Sequence, residues 1–81
     1  MPLYEPSISL SKLWIAFKNG ESRVYYSIIK YDNQCKEKGI RKLIEVFIRG
    51  KHFQGKYRCA ILYDNQTGTE LIRFNEFGVE I

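Results

Sequence analysis

The chain has 81 residues, of which 44% are apolar and 15% aromatic, and 13 Lys and Arg against 9 Asp and Glu leave a net charge of +4. Such a length makes one domain near the lower limit for folding alone, and the apolar share excludes a disordered polymer. The charge is compatible with anionic partners without demanding them.

No apolar run approaches the roughly eighteen residues that a membrane-spanning helix needs. The opening Met1-Pro-Leu-Tyr-Glu5 has neither the basic nor the continuous apolar region of a secretory signal, so a cytoplasmic location is expected. Cys35 and Cys59 are far apart and form no Cys-x-x-Cys pair, which favours free thiols over a disulfide framework. Cys59, in a β-rich run, is expected to be a small buried group, and Cys35 to lie in a polar loop.

Residues 1–11 carry both prolines, Pro2 and Pro6, with Leu3, Ile8 and Leu10 between serines, and read as an extended arm. Residues 12–31 read as a hairpin around Asn19-Gly20, the preferred pair for a tight turn. A two-residue loop pairs Lys18 with Glu21, Ile15 with Val24 and Leu13 with Tyr26. A four-residue loop pairs Phe17 with Val24 and Ile15 with Tyr26. Both registers put Leu13, Ile15, Phe17, Val24, Tyr26 and Ile28 on one core face. Both put Trp14, Ala16, Lys18, Arg23, Tyr25, Ser27, Ile29 and Tyr31 on the other.

Asp32-Asn33 then reads as a helix N-cap or turn. A helix is predicted over residues 38–50, because Ile40, Leu43, Ile44, Phe47 and Ile48 recur at helical spacing. Gly39 stands near its start and Gly50 follows its last residue. The competing reading is a strand from Ile44 to Ile48, whose β-branched residues alternate; the helix accounts for more of the apolar positions.

A second hairpin is predicted over residues 57–74, joined by Asp64-Asn-Gln-Thr-Gly68 with Gly68 in the left-handed position. Pairing Asp64 with Thr69 places Ile61 opposite Ile72 and Cys59 opposite Phe74, leaving Arg58, Ala60, Leu62, Leu71 and Arg73 on the reverse face. A bulge at Gly68 would exchange one strand's faces. Residues 75–81 form a tail or short last strand. The sum is an α+β fold of ββαββ order: two hairpins in one antiparallel sheet, with a single helix packed on one face.

Nothing in the pattern points to catalysis. His52 reads as a surface histidine with no nucleophile beside it, and the carboxylates are scattered rather than paired. Two cysteines and one histidine at unsuitable spacing exclude a zinc site, and no Gly-rich cradle or other motif implies a cofactor. The informative anomaly is the sheet face that one helix leaves bare. Trp14, Lys18, Arg23, Tyr25, Tyr31, Arg58 and Arg73 are its candidate interaction residues, with Ile29, Leu62 and Leu71 among them.

Three readings compete for that face. Two copies associate through it or through edge strands, giving a homodimer or other protein-interaction module. Alternatively, its aromatics stack on single-stranded nucleic acid while cations meet phosphates. In the third reading, the terminal arms cover it and the charges are merely solvated. The basic residues in and around the helix, Lys36, Lys38, Arg41, Lys42, Arg49, Lys51 and Lys56, add a weaker nucleic-acid signal that a solvated helix face also explains.

Overall fold

A computed structural model describes residues 4–51 and 53–81. The expectations for Pro2, Leu3 and His52 therefore lie outside the described residues. The chain runs through β1 (Ser11–Phe17), β2 (Ser22–Tyr26), α1 (Ile29–Asp32), α2 (Lys36–Leu43), a π-helical continuation (Ile44–Ile48), β3 (Tyr57–Asp64) and β4 (Glu70–Phe74). The four strands form one antiparallel sheet in the order β2-β1-β3-β4, so the two hairpins join through their first strands. The architecture is the predicted α+β sheet with its principal helix on one face.

The core lies between that face and the helix. Leu13 and Ile15 of β1, Ala60 and Leu62 of β3 and Phe74 of β4 meet Leu43 and Ile48 from the helical segment. Ile40, Ile44 and Phe47 pack against the same cluster, as their helical spacing predicts. Tyr57 joins it with its ring buried and its hydroxyl donating to the Ile48 carbonyl at 3.0 Å. The strand alternative for Ile44–Ile48 is excluded, and the segment instead widens into a π-turn in which the Arg49 N–H reaches Ile44 O at 2.9 Å. Gly50 follows because a Cβ there would stand 2.0 Å from the Val46 carbonyl oxygen.

The first hairpin corrects both expected registers. Its loop has three residues: Phe17 N–H bonds Glu21 O at 2.8 Å, and Gly20 N–H bonds Phe17 O at 3.1 Å. Only Gly20 takes a positive φ, +93°, while Asn19 stays in the ordinary region and its Oδ1 accepts the Glu21 N–H. A common turn followed by a left-handed glycine thus replaces the tight turn in which both residues need φ > 0. One residue of loop length reverses the parity. Leu13 pairs with Tyr25, Trp14 with Val24 and Ile15 with Arg23.

The second strand also ends earlier than predicted, at Tyr26 rather than Tyr31. A buried polar knot stops it. Ser27 N–H bonds Ser11 O at 2.9 Å, its Oγ accepts the Ser11 N–H at 3.1 Å and donates to Asp32 Oδ2 at 2.7 Å. Asp32 Oδ2 also takes the Leu10 N–H at 3.0 Å. Asp32 is therefore the last residue of α1 and not the cap of the main helix, whose N-cap is Cys35. Gly39 sits within α2 for a steric reason: a Cβ there would lie 2.2 Å from Asp32 Oδ1. The two helices approach only because that side chain is missing.

In the second hairpin Asp64 does pair with Thr69, through a 2.8 Å bond from its N–H, and Gly68 has φ +78°. The register then slips between Leu62 and Tyr63, giving Tyr63 opposite Glu70 and Leu62 opposite Ile72. The bulge lies at Leu71 rather than Gly68. Ala60 and Leu62 consequently face the core, opposite to the expectation, while Cys59 and Ile61 take the reverse face. The tail returns along β4, with Glu80 bridging Phe74 and Ile81 N–H bonding Arg73 O at 2.9 Å.

Candidate functional site

The seven predicted interaction residues do not share one surface. Trp14 lies half-buried on the open sheet face, where it lines a shallow depression of 290 Å³ with Lys12, Val24, Ile61 and Tyr63. Lys12 Nζ stands over the Tyr63 ring at 5.8 Å, and Arg73, paired across from Ile61, shares this face. Arg73 is itself held by Glu70, its Nη2 donating to Oε1 at 2.8 Å. Lys18 is exposed in the first hairpin loop. Arg58 is exposed where the β1–β3 register slips between Ala16 and Phe17.

Tyr25, by contrast, points to the helix side, as odd residues of β2 must once Leu13 is its partner. Its ring stacks on Phe47 with centroids 4.1 Å apart, and Phe53 meets both rings edge-on at 6.0 and 5.3 Å. Arg23 shares the Tyr25 parity but is exposed. Tyr31 lies in α1 beneath two ammonium groups, Lys38 Nζ at 5.4 Å and Lys42 Nζ at 5.6 Å from its centroid. Of the other expected face members, Ile29 is buried in α1, Leu62 is core and Leu71 is exposed at the bulge.

What the register correction builds is a groove. It has a volume of 350 Å³, within the range of small-ligand pockets, and runs between β2 and the helix. Its lining includes Val24, Tyr25 and Tyr26 of β2, of which Tyr25 faces the helix while Val24 and Tyr26 border the groove from the strand edge, and Leu43, Val46 and Phe47 of the helical segment, together with Tyr4, Ile28 and Tyr31. Tyr4 is held there by stacking on Tyr26, with centroids 5.9 Å apart. Val24 and Val46 are 43% and 53% exposed, unusual for valines beside an aromatic cluster. Among the described lining residues Lys42 supplies the one charged group, and its ammonium also reaches Glu45 at 3.4 Å on the outer surface.

The strand beside this groove is an edge. Phe17–Glu21 and Ser11–Ser27 are hydrogen-bonded pairs, so by antiparallel alternation Arg23 and Tyr25 turn their backbone groups inward to β1. Ser22, Val24 and Tyr26 therefore direct their N–H and C=O groups outward, alongside the groove. Among the described residues, no turn or loop hydrogen bond involves Val24 or Tyr26.

Sequence reading missed Val24, Tyr26, Val46 and Phe47 as site residues because the loop-length error placed the first two in the core. The signal available was Asn19-Gly20 itself, which also suits a three-residue loop. Among the described residues, no group of three metal-ligating side chains comes together. Cys35 is exposed, Cys59 half-buried on the open face, and both are free thiols. No helix among the described residues is long and apolar enough to cross a membrane. Compared with protein-family models, curated proteins and solved structures, the chain matches none.

Proposed function

We propose that the chain is a non-catalytic protein-interaction module that docks a polypeptide, including a copy of itself, along the β2 edge. The observation that carries this reading is the aromatic groove lying directly beside outward-facing backbone groups of an edge strand. Added strands gain affinity from main-chain hydrogen bonds and specificity from side-chain pockets next to the edge, and both are offered at one place here. The groove's lining supports a binding rather than a catalytic role, since among the described residues it holds apolar and phenolic groups and one ammonium, with no carboxylate or thiol. Two free thiols agree with a reducing, cytoplasmic setting.

The test is to follow the Val24 and Tyr26 backbone amides by nuclear magnetic resonance while adding peptides selected from a random display library, or while raising the protein concentration. Movement of these amides, lost in a Val46→Glu variant, supports the reading. Selection that yields no peptide, with amides indifferent to concentration, overturns it.

A second reading rests on the open face, where Trp14 and Tyr63 stand among Lys12 and Arg73. Aromatics interleaved with cations suit single-stranded nucleic acid. Binding of a mixed oligonucleotide pool would then quench Trp14 fluorescence and weaken steeply with salt, because phosphate contacts release counterions. Quenching indifferent to salt sinks this reading.

A further inference from the structure

Resting on the docking reading, we propose that the groove's occupant is the Phe77 turn of a second copy, so that copies associate head to tail. The turn is built to present one ring. Asn75 Oδ1 accepts the Phe77 and Val79 N–H groups at 2.9 and 3.0 Å, and Asn75 N–H bonds Val79 O at 3.0 Å. Gly78, with φ +76°, seats the turn on the core, where a Cβ would fall 2.6 Å from the Tyr57 hydroxyl. Phe77 is thereby held in a fixed place with 80% of its surface in water, the most exposed of the large apolar residues among those described. A rigid exposed aromatic is an interface anchor already ordered before binding, so little entropy is lost when it docks.

Charge selects the same pairing. Residues 75–81 carry Glu76 and Glu80 and no cation. Among the described residues the groove's lining holds Lys42, which also meets Glu45 at 3.4 Å, and no carboxylate, and Lys38 stands with Lys42 over the Tyr31 ring that borders it. An acidic aromatic turn thus fits a cationic aromatic groove, and Val79 and Ile81, also exposed, extend the apolar contact. The two surfaces belong to opposite edges of the sheet, because the tail runs along β4 and the groove along β2. One copy cannot join its own ends, and a contact between unlike surfaces continues as a chain or closes as a ring.

The test uses sedimentation velocity on the full chain from micromolar to millimolar concentration, with circular dichroism to confirm folding. Wild type is expected to grow in mass, whereas Phe77→Asp and Val46→Glu alone stay monomeric, with Lys42→Glu as a second groove variant. Mixing the tail variant with a groove variant is expected to restore a one-to-one dimer, since each supplies the surface the other lacks. A wild type that remains monomeric, a Phe77→Asp chain that associates like wild type, or a mixture that stays monomeric overturns the proposal. The Val24 and Tyr26 amide response to display-selected peptides decides the docking reading separately in each of those cases.

Discussion

The two edges of this sheet are treated in opposite ways. Beyond β4 the chain doubles back, so that Ile81 and Glu80 occupy hydrogen-bonding positions on its outer side. Beyond β2 the groups of Ser22, Val24 and Tyr26 face away from the sheet, beside an aromatic groove. An unprotected edge is an aggregation hazard that proteins ordinarily blunt. Here the protected edge shows how little chain is needed to do so, since seven residues suffice. Among the described residues no segment returns along β2 in this way; its edge is instead short and flanked by exposed Arg23, and it is this edge that the proposed docking would use.

Substitutions can test whether the edges are as independent as this contrast implies. The largest effect is expected from neither edge. Leu62→Ala, in the fully buried centre, removes contacts shared by both hairpins and should cost about 2–5 kcal/mol in urea denaturation. Tyr57→Phe acts where the helical segment meets the Gly78 turn: it strips the Ile48 carbonyl of its buried donor, at about 1–3 kcal/mol. Amide exchange should then accelerate in the Gly78 turn and stay unchanged in β2. If β2 loosens equally, the edges are not independent.

A proline pair probes the open edge more finely. Arg23→Pro deletes an N–H directed at β1, whereas Val24→Pro deletes one directed outward. Their difference in stability should be about one net hydrogen bond, roughly 0.5–1.5 kcal/mol, with Val24→Pro the milder. Docking should nevertheless be lost in Val24→Pro, because the proline removes a donor that an added strand would use. Equal destabilisation by the two variants would show that the outward assignment of β2 is wrong.

The smallest effects come from titration. Lys36 donates to the Asp64 carboxylate, and this bond, with the Gln66 and Thr67 N–H groups, holds Asp64 below its ordinary value of 3.8. A folded pKa below the unfolded one gives stability that is full above 3.8 and lost as pH falls through the lowered value. Lys36→Met should flatten that acid slope in denaturation midpoints. Burial pushes the Tyr57 phenol the other way, above 10.0, so its contribution is full below that pH and declines as pH rises through the folded value. Tyr57→Phe should remove this alkaline decline.

Element types were legible in the sequence, and registers were not. Five apolar residues at helical spacing placed the helix, and all five touch the core. Alternation and Asn-Gly placed the first hairpin, but one loop residue decides whether Tyr25 shares the open face with Trp14 or turns to the helix, and both loop lengths considered had even counts. Leu71 carries no local mark of a bulge; the slip follows from seating Leu62 and Ala60 against Leu13 and Ile15. Tyr31 looked like strand because its neighbours are β-branched, whereas Ser27 and Asp32 end the strand through bonds to Ser11 and Leu10, far away in the chain. Gly39 shows the same limit. Its reason is a carboxylate that arrives from another helix.

The strand order also has a kinetic consequence. Each hairpin closes locally, within microseconds in isolated cases, yet the sheet's central seam joins β1 to β3 across the whole helical segment. Pairing Phe17 with Tyr57 confines everything between them, and that entropy is spent before Leu13, Ile15, Ala60 and Leu62 are sealed from water. The rate-limiting event in refolding is therefore expected to be the meeting of two preformed hairpins. Speed should depend on Ile15 and Leu62 rather than on either turn. Shortening the stretch between Arg49 and Lys56 without disturbing the seam would hasten it, because fewer residues would have to be confined at once.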